Sequence, residues 1–529
     1  MGGHGFKWGD LCVEQKRLAV FHKYIGIGEL RPSCAQRFYF PARERNASFI
    51  GIQNVVVEPS ALILRDGVVR RFLFRFAHKV HYTGRASEGC IFVLDDNVPK
   101  PWQGQTTLVF ALAAAAMGLG NILRLPFLMG EHGGAPFFLT YLATVFLVAA
   151  PLLASEVMLG SHGRGSPIGA IRWASDQAGR SHHWSLLGGG QALLALALLV
   201  LLALLASWMV DVALALNNLE LSAASGLEVG QYFGQLTKTG NPGLQWPVLA
   251  AAVVAAALGP QYAMAVIGWL VLPVIAVGLL SIVQYAVGFG DLAAAGNYLF
   301  ASDYENFKQT GAFAGILSGL LTAGAGLGIG SCFGAHAPRN LPFLRSVIAA
   351  LVLDTAGVIL VAVALIPLLS ISNVLPDQGL GFLFIGVPYA FANLPLGEVY
   401  GAIFFGVAAL ACFATIVALM EPIIMILRRE LDLSRGLASL LTGGLVYLVI
   451  WMLPLFESVT NLASRLIDSG VLVTMLLLGL FVGWRLPRPV VRGEMYREPP
   501  WLFIVWWYLL RFAVPPVLLV ILCIQLFAD

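Results

Sequence analysis

Charged residues are scarce in this sequence. Asp, Glu, Lys and Arg together make up 12% of its 529 residues, whereas about a quarter is usual for a soluble protein. Hydrophobic residues make up 58%, and apolar runs of roughly 20 residues, each long enough to cross a bilayer as a helix, recur along the chain. The composition therefore excludes a soluble globular protein and predicts an all-α polytopic membrane protein.

Cysteine is scarce as well, with six residues and no CxxC pair. Three of the six fall in the first hundred residues, and the other three lie in or beside apolar runs. This distribution indicates neither a disulfide framework nor a metal site, and it favours small buried side chains. No nucleophile–base pair and no nucleotide-binding loop points to an enzyme, and the basic residues do not cluster on a soluble domain that would bind nucleic acid.

The first hundred residues differ from the rest of the chain. They hold 15 of the 32 Lys and Arg residues, and no methionine occurs between Met1 and Met117. Their start lacks the apolar stretch of a signal peptide. Two interpretations remain open for residues 1–100: a basic, disordered regulatory tail, or an extension that is not part of the native protein.

Eleven spans are expected, and the charge of the loops sets their orientation. Basic residues favour cytoplasmic loops, and with a cytoplasmic N-terminus twelve basic loop residues beyond the tail lie inside and three outside. We therefore expect a multi-pass protein of the cell membrane (inner or plasma membrane) with its N-terminus in the cytoplasm. The expected spans are 104–128, 136–158, 186–212, 246–260, 264–288, 312–335, 346–369, 399–427, 437–455, 468–484 and 502–526.

Glycine interrupts two of these spans. The first reads AAAAMGLGNILRLPF (113–127) and the sixth reads LLTAGAGLGIGSCFG (320–334). Their five-span separation favours a 5+5 inverted repeat with broken helices at positions one and six. The repeats would occupy residues 101–290 and 291–485, with a last span in 486–529. The alternative is a glycine-rich packing surface between unbroken helices.

A broken helix turns its own backbone into ligands. Free backbone groups are tolerated in a bilayer only where they line a protein cavity. The carbonyl end of the first break suits a hard cation, through Ala114, Ala116 and Met117. The amide end suits an anionic substrate group, through Leu119 and Gly120.

Four motifs follow one another in a familiar order. The runs GLGNILRLPFLMGEHGGAPF, PLLASEVMLGSHGRG, GLGFLFIGVPYAFANLP and FATIVALMEPIIMILRREL resemble, in turn, the first span, second span, fourth extracellular loop and eighth span of the neurotransmitter:sodium symporter family. The resemblance covers about residues 100 to 526 and fits a bacterial member of that family. It implies eleven or twelve spans, with ions and a small solute bound between the two repeats.

The resemblance implies a first sodium site at Ala116, Asn121, Thr322 and Asp354. The first three match the family pattern, whereas Asp354 stands where the family has Asn. A carboxylate can still bind sodium, and it adds a charge to the site. An acid within the membrane is functional by default.

A second sodium site is implied at Ala114, Met117, Ala411 and Thr415. Ala414 stands at the neighbouring hydroxyl position of the family, so one oxygen ligand is missing. Because sodium prefers oxygen ligands, this site is expected to be weaker than the first.

The implied substrate pocket is almost wholly apolar. Leu202 stands where the third span of the family offers a tyrosine that holds the substrate carboxylate. Such a pocket accommodates few polar groups, which favours an amino acid with an apolar side chain or a related small amine. The pocket residues are Ala116, Leu119, Gly120, Leu198, Leu202, Leu321, Gly324, Leu327, Thr415 and Leu419.

The gates are implied in the same way. Arg124 and Asp468 match the pair that closes the outer path in the family. On the inner side Arg429 stands at the acid position, so the usual inner ion pair cannot form there, and the adjacent Glu430 is the possible substitute.

The positions of two further acids and three histidines in spans and loops predict their surroundings. Glu156 and Glu421 lie within spans and are expected to satisfy the backbone of the broken helices rather than to carry protons. His162, His182 and His183 fall in a loop and are expected to be solvated.

The leading hypothesis is a sodium-coupled symporter of a small organic solute, an amino acid or related amine, that works by alternating access. The alternative is a transport-inactive relative that acts as a membrane sensor or scaffold, which the departures at Leu202, Ala414 and Arg429 favour. The expected partners are a small-molecule substrate, Na⁺ and the lipid bilayer. No resident cofactor, nucleic acid or enzymatic activity is expected.

Overall fold

The computed structural model describes residues 101–118, 121–163, 165–239, 242–300, 304–305, 307–338, 341–372, 380–452 and 460–527. Within those ranges the side chains at 121–124, 238–239, 242–243 and 460–466 are not described. The compact unit to which the described residues belong begins at Pro99. The two interpretations of residues 1–100 therefore concern residues that lie outside the description.

The described residues are helical and contain no β-strand, which confirms the all-α prediction for this part of the chain. Their helices are α1 (Gln105–Met117), α2 (Asn121–Glu131), α3 (Ala135–Gly163), α4 (Pro167–Gln177), α5 (His182–Asn217), α6 (Gly226–Thr239), α7 (Pro242–Leu258), α8 (Pro260–Phe289), α9 (Leu292–Phe300), α10 (Gln309–Thr322), α11 (Ile329–Ala335), α12 (Phe343–Ile371), α13 (Phe382–Ala392), α14 (Gly397–Glu430), α15 (Arg435–Met452), α16 (Thr460–Leu480, continued by a wider turn to Arg485), α17 (Arg488–Glu494) and α18 (Pro500–Phe527).

Eight helical stretches in the described ranges are long and apolar enough to cross a membrane, namely α3, α5, α8, α12, α14, α15, Ile467–Arg485 and α18. Shorter apolar helices cover Gln105–Met117, Leu244–Leu258 and Phe382–Ala392. The two glycine-interrupted spans are absent from the eight because each is divided: α1 has 13 residues and α10 has 14. The count of eleven spans remains a prediction.

The connections between helices gather on two opposite sides of this unit. On one side, which we call the Trp102 side, the N–H of Trp102 donates to the carbonyl oxygen of His336 at 2.8 Å. The Nε of Arg180 also donates there to the carbonyl oxygen of Arg485, at 3.3 Å. On the other side the N–H of Asp291 donates to the carbonyl oxygen of Pro367 at 3.0 Å.

The core lies where α14 packs along α5. Cys412 and Met209 place their sulfur atoms 3.8 Å apart in this contact, and both side chains are buried. Large apolar side chains remain exposed on the outside of the bundle, such as Trp451 on α15 and Phe512 on α18. An apolar exterior is what a helix bundle needs to face lipid.

Candidate functional site: two broken helices

The first break follows an alanine-rich helix. Alanine is the best helix former, and α1 ends only where Gly118 follows Met117. A Cβ atom on Gly118 would lie 2.4 Å from the Oγ1 of Thr415 and 2.7 Å from the carbonyl oxygen of Ala411. Glycine is therefore required for this close approach to α14. Leu119 and Gly120 lie outside the described residues, and α2 begins at Asn121.

The hydroxyl of Thr415 fastens this break to α14. It accepts a hydrogen bond from the N–H of Gly118 at 3.1 Å and lies 2.9 Å from the carbonyl oxygen of Ala115, to which it donates. Thr415 is completely buried. Of the predicted second sodium site, Thr415 and Ala411 thus lie against the break. The contact with Ala115 was missed, because a backbone carbonyl leaves no signal in a sequence.

The second break is a stretch of left-handed backbone. After Thr322 ends α10, Gly324, Gly326 and Gly328 adopt φ angles of +62°, +82° and +77° before α11 begins at Ile329. Glycine adopts such angles at no steric cost, whereas other residues rarely do. The glycines therefore explain why the sixth predicted span is interrupted here.

Glu156 of α3 satisfies the backbone of the second break. Its carboxylate accepts hydrogen bonds from the N–H of Gly326 at 2.9 Å and of Gly330 at 3.1 Å, and from the Nε2 of Gln191 at 2.8 Å. Thr474 of α16 lies 2.9 Å from the carbonyl oxygen of Gly326. The expected bonding of Glu156 to the backbone of a broken helix is confirmed, while Gln191 and Thr474 were not anticipated.

Thr322 and Asp354, both predicted for the first sodium site, meet at Tyr141 of α3. The Oγ1 of Thr322 lies 3.4 Å from the hydroxyl of Tyr141 and donates to the carbonyl oxygen of Ser318 at 2.8 Å. Asp354 interacts electrostatically with the same tyrosine. Tyr141, Thr322 and Asp354 are all completely buried. Nothing in the sequence had singled out Tyr141.

The helix that carries Asp354 also reaches the first break. A Cβ atom on Gly357 of α12 would lie 2.8 Å from the terminal methyl carbon of Met117, the last residue of α1. The middle of α12 therefore contacts the end of α1 and, through Tyr141, the end of α10. The side chain of Asn121 lies outside the description.

Comparisons with known proteins point to one family. Residues 100–179 match the model of the Sodium:neurotransmitter symporter family. The uncharacterized sodium-dependent transporter YhdH of Bacillus subtilis is 22% identical over 447 residues, which cover 81% of this chain and 98% of the relative. An uncharacterized sodium-dependent transporter of Haemophilus influenzae is 23% identical over 455 residues, with the same coverage of 81% and 98%.

A solved structure has the same fold. The crystal structure of MhsT in complex with L-phenylalanine matches with a TM-score of 0.71 at 22% sequence identity, over 80% of this chain and 98% of MhsT. The resemblance to the sodium:neurotransmitter symporter family is confirmed. This is a family of membrane transporters rather than of enzymes.

The described pocket residues carried over from the symporter family lie on α1, α5, α14, the end of α10 and the second break. Leu202, at the tyrosine position of the family, is 4% exposed and Leu327 is 2% exposed. Ala116, Gly324, Thr415 and Leu419 are also buried, whereas Leu198 and Leu321 are partly exposed. Position 202 of α5 thus carries no aromatic hydroxyl, and the apolar character of the pocket stays a prediction.

The gates of the symporter family are only partly described. Asp468 lies partly exposed on α16, and the side chain of Arg124 is outside the description. On the Trp102 side, the Oε1 of Glu430 lies 3.7 Å from the Nη1 of Arg172 on α4. Glu430 therefore contacts α4 in this structure. On the same side, the indole nitrogen of Trp102 donates to the carbonyl oxygen of Phe333 at 2.8 Å.

Two expectations from the sequence were wrong. Glu421 does not bond to a broken helix: its carboxylate pairs with Arg435 at the start of α15, and both groups lie at the Trp102 side of α14. His162 is not solvated, because its side chain is 12% exposed and pairs with Glu494. Arg435 follows Glu421 beyond the turn after α14, and Glu494 comes from a distant part of the chain, so position within a span or loop reveals neither partner.

Proposed function

We propose that this chain is a sodium-coupled secondary transporter of a small organic solute, an amino acid with an apolar side chain or a related amine. The observation that carries the proposal is the position of Asp354. It lies buried on a helix that contacts the end of α1 directly and the end of α10 through Tyr141, where two helices stop in the interior of an apolar bundle. A buried acid beside exposed backbone carbonyls is suited to a monovalent cation.

Two sodium sites are part of the proposal. Asp354 and Thr322 supply a carboxylate and a hydroxyl to the first, with the carbonyl of Ala116 and the amide oxygen of Asn121. The second is formed by the carbonyls of Ala114, Met117 and Ala411 with the hydroxyl of Thr415. We expect the first to bind more tightly, since it alone contains a charged ligand.

The proposed solute binds between the two breaks. The amides of Leu119 and Gly120 face its anionic group from the positive end of α2. Aliphatic side chains of α5, α14 and the second break surround its apolar part. The MhsT structure, which is named as a complex with L-phenylalanine, supports an amino acid with an apolar side chain as the first solute to test.

Alternating access would follow from an inverted repeat, which is itself part of the proposal. We propose eleven spans, with residues 101–290 and 291–485 as inverted repeats and the Trp102 side in the cytoplasm. Arg124 and Asp468 close the opposite side once ions and solute are bound. Rocking of the helices that contain the breaks, together with α3 and α12, then opens the Trp102 side.

Uptake of labelled L-phenylalanine into proteoliposomes tests the proposal. We expect uptake that an inward sodium gradient drives and that Asn121→Ala abolishes. Asn297→Ala is the matched control, because Asn297 lies exposed on α9, outside the proposed sites. Failure to accumulate any apolar amino acid, with solute binding retained, would contradict transport and favour a sensor.

A further inference from the structure

The connection between α16 and α18 is a folded element. It contains α17, and its apolar side chains are buried: Leu486 is 5% exposed, Val491 0% and Met495 1%. A loop that merely joined two spans would leave such side chains in contact with solvent. Residues 486–499, which we call the tie segment, are therefore packed against the Trp102 side of the bundle.

The tie segment is braced to the start of α18. Arg492 donates from Nη1 to the carbonyl oxygens of Glu498 at 3.1 Å and Met495 at 3.4 Å. Its guanidinium carbon lies 4.9 Å from the centre of the Phe503 ring on α18, within the range of a cation–π contact. The acidic residues at the end of the tie segment are thus held in fixed positions relative to the last helix.

Glu498 binds the first turn of α12. Its Oε1 accepts hydrogen bonds from the N–H of Leu344 at 2.9 Å and of Arg345 at 3.4 Å, and its Oε2 accepts one from the Nε of Arg345 at 3.2 Å. The residue before this helix, Pro342, provides no side-chain cap. Glu498, which is 2% exposed, therefore supplies from another part of the chain the acidic cap that a helix N-terminus favours.

Glu494 binds the last turn of α3. Its carboxylate pairs with the Nε2 of His162, the other ring nitrogen of which lies 2.8 Å from the Oγ of Ser161. The imidazole ring is stacked on Trp173 of α4 at 5.3 Å between centroids. The histidine is thereby oriented toward the tie segment.

The two helices that the tie segment binds, α3 and α12, both carry residues at or beside the proposed first sodium site. α3 carries Tyr141 and Glu156, and α12 carries Asp354. α3 also packs tightly against the second half of the broken sixth span. A Cβ atom on Gly160 of α3 would lie 1.9 Å from the carbonyl oxygen of Ser331 on α11.

We infer that Glu494 and Glu498 hold the Trp102-side ends of α3 and α12 to α18, and that these contacts must break before that side of the bundle can open. The inference deepens the proposed function and rests on it in one respect: the tie controls transport only if the chain alternates between two states. The tie segment thereby closes the Trp102 side, where Arg429 excludes the ion pair implied by the family.

Cys332 provides a native reporter of opening. It lies completely buried on α11, next to the part of α3 that the tie segment holds. In a variant with the other five cysteines replaced by alanine, the alkylation rate of Cys332 by a water-soluble maleimide measures how often this side opens. The measurement needs neither a solute nor a sodium gradient.

We expect Glu494→Gln and Glu498→Gln each to raise the alkylation rate of Cys332 by about tenfold, the change expected from the loss of one charge-assisted contact. Asp432→Asn is the matched control, because Asp432 lies exposed just after the end of α14, on the same side and outside the tie segment. We expect less than about a twofold change in the control, as for an exposed side chain away from packed contacts. The charge reversal His162→Glu should raise the rate, and adding Glu494→Lys should return it toward the starting value.

Unchanged rates in both tie variants, or an equal rise in the control, would overturn the inference. The same is true if the charge-reversed pair fails to restore the rate. If the tie-segment variants alter the alkylation rate of Cys332 but the protein moves no solute, the inference about the tie segment stands and the proposed transport is refuted. If a sodium gradient drives uptake but the variants leave the alkylation rate of Cys332 unaltered, only the inference about the tie segment is refuted.

Discussion

The hydroxyl of Thr415 lies 3.1 Å from the backbone nitrogen of Gly118 and 2.9 Å from the carbonyl oxygen of Ala115. One side chain of α14 thus satisfies a donor and an acceptor at the point where α1 ends. A free backbone group inside an apolar bundle costs several kilocalories per mole. The interruption of α1 is therefore stabilised by the same residue that we place in the second sodium site.

The Thr415→Val substitution tests the contribution of the hydroxyl alone, because Val keeps the shape of the side chain and loses the hydroxyl. The N–H of Gly118 would then lose its side-chain acceptor, at a cost of about 1–3 kcal/mol. We expect a lower thermal unfolding midpoint in detergent and weaker stabilisation by sodium. Thr415→Ser, which keeps the hydroxyl, is the control, and an unfolding midpoint for Val equal to that of the native protein would argue against the contact.

Glu156→Gln should loosen the second break. A glutamine amide offers one oxygen, whereas the carboxylate accepts from both Gly326 and Gly330, so one backbone N–H loses its acceptor. We expect faster hydrogen exchange confined to residues 323–330 and a lower unfolding midpoint, by about 1.5–3 kcal/mol in stability. Exchange rates at Gly326 and Gly330 equal to those of the native protein would mean that the carboxylate is dispensable there.

Asp354→Asn tests the charge of the proposed first sodium site. Asparagine preserves the volume and one oxygen ligand, so a loss of affinity reports the charge itself. We expect sodium to bind at least about tenfold more weakly, which corresponds to ~1.4 kcal/mol. Sodium-dependent thermal stabilisation measures the affinity, and Thr322→Val should weaken binding more than Thr415→Val does. An unchanged affinity in Asp354→Asn would remove the carboxylate from the site.

A pH effect is expected at α6, a short helix away from the ion sites. The N–H and the hydroxyl of Ser225 donate to Glu228 at 2.7 and 2.8 Å, and these bonds lower the pKa of Glu228 below its usual 4.5. Because the folded pKa is the lower one, the stabilisation is present above the unfolded pKa and is lost as the pH falls through the folded value.

Hydrogen exchange in the first turn of α6 measures this effect. We expect exchange to accelerate, beyond its intrinsic pH dependence, as the pH drops below the usual value for glutamate. Glu228→Gln should already exchange faster at neutral pH and should show no such step. A step that persists in Glu228→Gln would assign it to another acid.

The sequence predicted those features that depend on local backbone chemistry. Glycine is rare inside helices because of its conformational freedom, so clusters of glycine at 118–120 and 324–328 marked both breaks. Glu156 of α3 was assigned to the backbone of a broken helix because an acid inside a span needs hydrogen-bond donors. Family motifs then supplied the order of the helices.

Features that depend on long-range packing were not predictable in this way. Glu421 differs from Glu156 only in its surroundings, since it lies within reach of Arg435 after the turn that follows α14. Tyr141 looked like one more aromatic side chain of an apolar helix. His162 stood in what looked like a solvated loop, because its partner Glu494 comes more than three hundred residues later in the chain.

The left-handed glycines of the second break set a limit on how this protein can change. Where the wall of a cavity is main chain, a mutation cannot exchange one functional group for another. It can only add a methyl or larger group that the backbone angle rejects. New selectivity would therefore have to arise on the flanking helices α5, α12 and α14, and a mutational scan should find variants with altered preference there and inactive ones at Gly324, Gly326 and Gly328.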